Sequence, residues 1–210
     1  MIRVMVADDH AVVRKGLVQI LSDTEDIRVI GEAASAAEIV GLLQREPCDV
    51  LLLDVSMPGK GGIEALKVIR EEFPQVRTLI LSMYPEDQFG IRALKAGASG
   101  YLTKQAAPER LIEAVQKIAM GKRYITPELA ELLALNMGPE NDVPPHQLLS
   151  DREFQVLRLI ASGKTLSEIA AQLALSPKTV SVYRARLLEK MRLANNAELT
   201  HYAIKHGLVE

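Results

Sequence analysis

The chain reads as a doubly wound α/β domain followed by a smaller all-helical domain. Three observations predict this. Five short apolar runs alternate with segments of helical period in the first part of the chain. From Leu149 onward the apolar period is helical throughout, and three helix-start signals punctuate it. Between the two lies a stretch with Pro139, Pro144 and Pro145 and no periodicity.

The strand-like runs fall at 2–7, 28–33, 50–53, 78–82 and 100–103, and the helical segments at 11–22, 35–45, 61–72, 85–96 and 107–120. Val13, Leu17, Ile20 and Leu21 mark the apolar face of the first helix, and Leu111, Val115 and Ile118 that of the last. Strand–helix alternation implies parallel strands with helices on both faces of the sheet. Five repeats predict a flavodoxin-like sheet of order 2-1-3-4-5, in which strands 1 and 3 flank the topological switch point. Thr126 and Pro127 start a short helix, with Thr as cap and Pro at the first position, and Leu129, Leu132 and Leu133 as its apolar residues. The stretch 138–145 then reads as a flexible, partly extended linker. The expected division is 1–121 for the α/β domain, 122–147 for the linker and 148–210 for the helical domain.

In the helical part, Ser150 with Glu153 and Thr165 with Glu168 are capping boxes. Gly163 ends the first helix, and Ser176 with Pro177 is an N-cap followed by proline at the first helical position. The run 166–173, a short turn and Thr179-Val180 make a helix-turn-helix pattern, with Ile169, Leu173, Leu175, Val180 and Leu187 as core and small Ala170 at a close helix approach. A fourth helix begins near Asn195.

The chemistry concentrates at strand ends. Asp54 closes the apolar run Val50-Leu51-Leu52-Leu53, and Asp8 and Asp9 close the run 2–7. In an open parallel sheet, ligands bind outside the carboxyl ends of the strands. Three carboxylates meeting there repel one another unless they hold a cation or a proton. Oxygen ligands of this kind suit Mg2+, which keeps waters and favours a phosphate partner. The site reads as a metal-assisted phosphoryl acceptor. Formal charge is −2 overall, but 148–210 carries nine Lys/Arg against six acids while the rest carries 16 against 21. An acidic front and a basic back fit a regulatory domain joined to a nucleic-acid binder. The single cysteine, Cys48, cannot form an internal disulfide and suits a reducing cytoplasm as a small core residue. No apolar stretch is long enough for a membrane span, and the N-terminus begins a strand rather than a signal peptide. The four histidines do not cluster, so no zinc site is expected.

Asp8-Asp9, Asp54 with Met57-Pro58-Gly59 and Gly62, then Ser82, then Lys104 resemble the receiver domain of two-component response regulators. The resemblance implies Asp54 as phosphoacceptor. It implies Mg2+ on Asp9, Asp54 and the Ser56 backbone carbonyl, with Asp8 acting through water. Lys104 pairs with the phosphoryl group, Ser82 hydrogen-bonds to it, and Tyr101 is an aromatic switch that changes burial with Ser82. Many receivers have proline after the lysine; this chain has Gln105.

Leu149-Ser150-Asp151-Arg152-Glu153, Ile160-Ala161-Ser162-Gly163, Glu168-Ile169-Ala170 and Ser176-Pro177-Lys178-Thr179-Val180 resemble the four-helix DNA-binding domain of the LuxR/NarL regulators, and the run 177–184 with the tail 202–209 looks most like the GacA/UvrY subgroup. Tyr183 departs from the histidine most LuxR-type domains carry. Lys178, Ser181, Val182, Ala185 and Arg186 share the helix face away from Val180, Leu187 and Met191. On a recognition helix in the major groove, Lys178 and Thr179 suit phosphates, Arg186 a guanine edge or a phosphate, and Val182 a thymine methyl, with Arg184 at the border. The implied function is a cytoplasmic, non-enzymatic transcription regulator. A sensor histidine kinase phosphorylates it, and it dimerises on double-stranded DNA, with RNA polymerase as a further partner. In NarL-like relatives the unphosphorylated receiver covers the recognition helix until phosphorylation releases it. Two rivals are a phosphohydrolase, for which no second acid or base is evident beside Asp54, and a phosphorylation-independent DNA binder whose receiver is only a dimer module.

Overall fold

The computed structural model describes residues 1–57, 62–135 and 144–209. They divide into two compact units at Leu135. The first unit alternates β1 (Ile2–Ala7), α1 (Ala11–Ser22), β2 (Ile27–Ala33), α2 (Ala36–Leu43), β3 (Val50–Asp54), α3 (Gly62–Glu72), β4 (Arg77–Ser82), α4 (Glu86–Ala96), β5 (Gly100–Thr103) and α5 (Pro108–Ala119). The sheet order is β2-β1-β3-β4-β5, with every neighbouring pair parallel, as the alternation predicts.

β3 lies at the centre and is buried along its whole length, which is why its sequence is a continuous apolar run rather than an alternating one. Alternate strand residues project to opposite faces. Val4, Val6, Val50, Leu52, Leu79 and Leu81 form one core layer with Leu21 of α1 and Leu111, Val115 and Ile118 of α5. Met5, Leu51, Leu53, Ile80 and Tyr101 are buried on the other side, where α2, α3 and α4 contribute Ile39, Leu66, Ile69 and Phe89. Cys48 is a core residue just before the start of β3, its thiol pushed up to about 12 by burial.

The first unit runs past α5. Tyr124 donates its amide to the Ser99 carbonyl at 2.9 Å and bridges Gly100, so the chain after α5 lies against the start of β5. Thr126 then caps α6 (Pro127–Leu135), its hydroxyl accepting the Leu129 amide at 3.2 Å. Leu129 is fully buried, whereas Leu132 and Leu133 are half-buried. Of the stretch read as extended linker, 138–143 lies outside the described residues. Pro144 keeps extended backbone, with φ of -55° and ψ of 138°, and Pro145 opens a single 3-10 turn, Pro145–Leu148, for which proline's fixed φ is suited.

The second unit holds α7 (Asp151–Ala161), α8 (Leu166–Leu173), α9 (Pro177–Met191) and α10 (Asn196–Lys205). Both capping boxes form, and Ser176 and Asn195 cap α9 and α10. Ile169, Leu173, Val180 and Leu187 are buried with Leu157, Met191 and Leu199, while Leu175 in the turn is half-buried. Ala174 makes that turn with φ of 52°, and the Leu175 amide closes it on the Ala170 carbonyl at 2.8 Å.

One glycine positions the strand-end cluster. The Gly62 amide donates to the Val55 carbonyl at 2.9 Å, and a Cβ there would lie 2.1 Å from the Asp54 carbonyl oxygen. Only a hydrogen fits between the start of α3 and the end of β3. Gly62→Ala is expected to destabilise the first unit by about 3 kcal/mol or more, the upper range for overpacking against an atom that cannot turn aside. Urea unfolding followed by circular dichroism checks this; a midpoint equal to wild type would show that α3 can retreat from the strand end without loss.

Candidate functional site

The parallel register lines up the carboxyl ends of four strands. Ala7 pairs with Leu53, Asp54 with Leu81, and Ser82 with Thr103. The residues just past those ends therefore meet: Asp8 and Asp9 after β1, Asp54 on β3, Ser82 on β4 and Lys104 after β5. This is the switch point between strands 1 and 3 that the sequence indicates.

Asp8 and Asp54 have side chains only 1% exposed, and Lys104 only 6%. The Lys104 ammonium bridges them, 2.6 Å from Asp8 Oδ2 and 3.1 Å from Asp54 Oδ2. Asp8 Oδ1 accepts the His10 amide at 2.8 Å, and Asp54 Oδ1 accepts the Ser56 amide at 3.2 Å. Asp9 Oδ1 lies 3.0 Å from His10 Nδ1. Apart from that imidazole and the Lys104 ammonium, the buried oxygens Asp8 Oδ2, Asp9 Oδ1 and Asp54 Oδ2 have no hydrogen-bond donor. One ligand atom from each of Asp8, Asp9, His10 and Asp54 falls within 4.8 Å of the others. Burial pushes the Asp54 carboxyl above the ordinary aspartate range; Lys104 opposes this, and the neighbouring charge of Asp8 adds to it. Hard oxygen donors with excess negative charge and unfilled lone pairs are the composition that a small divalent cation satisfies.

Ser82 and Tyr101 meet at one residue. Ser82, fully buried, accepts the Tyr84 amide on Oγ at 3.1 Å, and Tyr101, also fully buried, donates its hydroxyl to the Tyr84 carbonyl at 2.7 Å. The Tyr84 ring stacks on Phe89 of α4, with centroids 5.0 Å apart and planes at 21°. The Lys104 amide donates to the Ser82 carbonyl at 2.8 Å, tying the last two strand ends together.

Sequence reasoning missed three residues here. His10 is the next residue after the acidic pair, and that adjacency was its signal. Arg14, one turn along α1, donates Nη1 to the Asp8 carbonyl at 2.6 Å and Nε to Glu32 at 3.1 Å. Tyr84 carries no motif, and only the fold brings Ser82 and Tyr101 to it.

On α9, Lys178, Ser181, Val182, Ala185 and Arg186 are exposed together, and Val180, Leu187, Leu188 and Met191 face inward. Val182 is 45% exposed, a large apolar side chain in an otherwise polar face. Thr179 is half-buried; its amide and hydroxyl both engage Ser176 Oγ, at 3.0 and 2.8 Å. Arg184 is separated from the exposed face: it is half-buried, and its Nε donates to Asn196 Oδ1 at 2.6 Å at the start of α10. The N-terminal turn of α9 contains no acid, so no carboxylate of that turn offsets its positive dipole end. At the other end Lys190 donates to Glu153 Oε2 at 2.7 Å, and the same oxygen accepts the Ser150 amide at 2.7 Å. Burial alone would raise the Glu153 carboxyl, yet Lys190 and the Ser150 amide outweigh it and hold it below the ordinary glutamate range. The cap of α7 is thus also the anchor of α9. Among the described residues no helix is long and apolar enough to cross a membrane.

Comparison with known proteins agrees with both halves of this geometry. Residues 4–116 match the response regulator receiver domain, and residues 147–203 match the bacterial regulatory proteins of the luxR family. The chain is 41% identical over 209 residues to the response regulator UvrY of Escherichia coli (strain K12), covering 99% of this chain and 96% of that protein. It is 38% identical over 211 residues to the response regulator GacA of Pseudomonas aeruginosa, covering 100% of this chain and 99% of that protein. Among solved structures it resembles RcsB from Salmonella enterica serovar Typhimurium bound to a promoter in the presence of phosphomimetic BeF3−. There the TM-score is 0.67 and the identity 30%, over 96% of this chain and 97% of that one. The chain belongs to the response regulators, a family of transcription regulators, and joins a receiver domain to a LuxR-family DNA-binding domain.

Proposed function

We propose that Asp54 accepts a phosphoryl group from the phosphohistidine of a sensor kinase in the cytoplasm, and that this controls dimeric binding of α9 to promoter DNA. The observation that carries the reading is the buried Asp54 carboxylate at the switch point, flanked by Asp8 and Asp9 and bridged by Lys104. In the transfer, an Asp54 oxygen attacks phosphorus, the bond from phosphorus to the donor imidazole nitrogen breaks, and that nitrogen takes a proton from water. Asp9, Asp54 and the Ser56 carbonyl would hold Mg2+, with Asp8 acting through a water. The ion supplies positive charge against the phosphoryl oxygens and carboxylates. Lys104 is already within ion-pair reach of Asp54 Oδ2 and transfers its contact to a phosphoryl oxygen. Ser82 supplies a hydroxyl to another, and Tyr101 follows through their shared neighbour Tyr84. Intact acids and lysine disfavour a receiver that serves only as a dimer module.

On DNA, α9 enters the major groove. Lys178 and Thr179 lie at its positive N-terminal end, where phosphates bind, and Val182 and Arg186 reach base edges. Arg184, tied to Asn196, positions α10 against α9 rather than reading a base. The solved RcsB neighbour bound to a promoter supports this mode.

A small phosphodonor with Mg2+ is expected to add one acid-labile phosphate, absent in Asp54→Asn and in excess chelator; intact-mass spectrometry reads it. Labelling of Asp54→Asn at the wild-type rate would exclude Asp54. Lys104→Ala is expected to accept phosphate yet lose most of the phosphorylation-dependent gain in DNA affinity.

Metal-free stability tests the electrostatics separately. The folded-state pKa of Asp54 is raised, so its favourable contribution is complete below the unfolded-state pKa and is lost as pH rises through the folded value. Asp54→Asn is therefore expected to melt higher than wild type at neutral pH, the gap closing as the pH is lowered towards the unfolded aspartate pKa. A gap that grows on acidification contradicts the burial penalty.

For DNA, Lys178→Ala and Arg186→Ala are each expected to weaken operator binding by roughly 1–3 kcal/mol. Losing a phosphate contact at Lys178 weakens binding to every sequence and lowers the salt slope by about one. Losing a base contact at Arg186 relaxes sequence preference. Competition titrations at several salt concentrations separate the two; equal loss on specific and random DNA for both variants would remove Arg186 from base readout.

A further inference from the structure

We infer that Thr126, Gly90 and Leu129 are positioning residues for the response to phosphorylation: they seat α6 on α4, and loosening that seat carries the signal out of the receiver. This rests on the reading of Asp54 as phosphoacceptor and adds where the signal leaves.

A continuous set of contacts leads from the acidic pocket to α6. Ser82 Oγ holds the Tyr84 amide, Tyr101 holds the Tyr84 carbonyl, and the Tyr84 ring lies on Phe89 of α4. Phe89 is fully buried, so α4 cannot follow Tyr84 by turning one side chain; the helix itself must shift. The next residue, Gly90, is where α6 sits: a Cβ at Gly90 would lie 2.7 Å from Leu129 Cδ1. One turn earlier on α4, Glu86 accepts the hydroxyl of Thr126, the residue that also caps α6 through the Leu129 amide. Positions 86 and 90 lie on the same face of α4, so one polar and one apolar anchor hold α6 side by side.

α6 depends on those anchors. It has nine residues, fewer than a helix needs to be stable alone in water. Among its described side chains the fully buried one is Leu129, and Thr126 Oγ serves both the cap and the Glu86 bond. A shift of α4 that pulls Glu86 from Thr126 or lifts Gly90 from Leu129 therefore removes the seat and leaves the capping hydroxyl without the bond that orients it. That makes α6 a two-state element, seated or released, and the chain leaves the receiver unit at its last residue, Leu135. Ser82 drawn toward a phosphoryl group on Asp54 is the input, because it changes the bond to Tyr84 that begins the series.

The test uses the full chain with BeF3− and Mg2+. Fluorine NMR reports whether BeF3− is bound, and hydrogen exchange by mass spectrometry reads the amides of 127–135. In wild type, bound BeF3− is expected to speed exchange in α6 by roughly 5- to 150-fold, the range of typical allosteric coupling. Thr126→Val and Leu129→Ala are expected to exchange fast before and after BeF3− and to lose the BeF3−-dependent gain in DNA affinity, while still binding BeF3−. Thr126→Ser, which keeps the hydroxyl, restores both. Ser82→Ala with BeF3− bound leaves α6 protected. If BeF3− binds wild type and α6 protection does not change, or if Thr126→Val and Leu129→Ala keep the full DNA response, the inference is overturned while the acceptor reading stands. If wild type shows no bound fluoride signal, or Asp54→Asn shows the same signal as wild type, the acceptor reading falls and takes the inference with it.

Discussion

Two buried carboxylates, Asp8 and Asp54, share the Lys104 ammonium at the mouth of the sheet with a third, Asp9, beside them, and the rest of the receiver is built to keep that imbalance in place. Two like charges about 4 Å apart repel by about 4 kcal/mol at an effective dielectric near 20. A loop could relieve such repulsion by moving. Asp8 and Asp54 cannot, because each is fixed by the strand that precedes it, and β1 and β3 are paired in register from Val4 to Ala7 against Val50 to Leu53. Gly62 closes the cluster from the α3 side by backbone contact. The burial that raises the Asp54 carboxyl is thus a product of central strand placement, and the neighbouring Asp8 adds to it. An imbalance held this rigidly favours whatever brings positive charge, and it makes the pocket responsive to what is bound there.

The same rigidity decides where a response can go. Ser82 and Lys104 are tied to each other through backbone, and Tyr101 is packed without exposure on the α4 side of the sheet. The adaptable part is the segment after β4, where Tyr84 joins Ser82, Tyr101 and Phe89. Close-packed interiors switch between discrete arrangements rather than deform smoothly. A small displacement at Ser82 is therefore expressed as movement of α4, the helix that bears α6.

Much of this was legible in the sequence, for physical reasons that differ from place to place. Parallel order followed from alternation, since a buried parallel sheet demands continuous apolar runs and crossover helices, and the strand-end acids then had to converge. Capping boxes at Ser150 and Thr165 located the helices of the second unit because a side chain three residues from the cap closes them locally. What escaped were long-range pairings. Arg14 with Asp8, Tyr84 between Ser82 and Tyr101, and Lys190 with Glu153 lack local spacing and become visible only when the chain is folded. Arg184 shows the converse. Helical periodicity placed it beside the exposed face, but Asn196, twelve residues on, draws it to α10.

Pro144 and Pro145 make the same point about breakers. Proline excludes a regular helix interior but its φ suits extended chain and a tight turn alike: Pro144 is extended, while Pro145 opens the turn that delivers His146 to Tyr202. His146 Nδ1 lies 2.9 Å from the Tyr202 hydroxyl, and its ring packs on Phe154, Tyr202 and His206. The entry of the chain into the DNA-binding domain is therefore fastened to α7 and α10, the two helices that also anchor α9 and Arg184. A segment that reads as a spacer is, at its C-terminal end, part of the scaffold that holds α9.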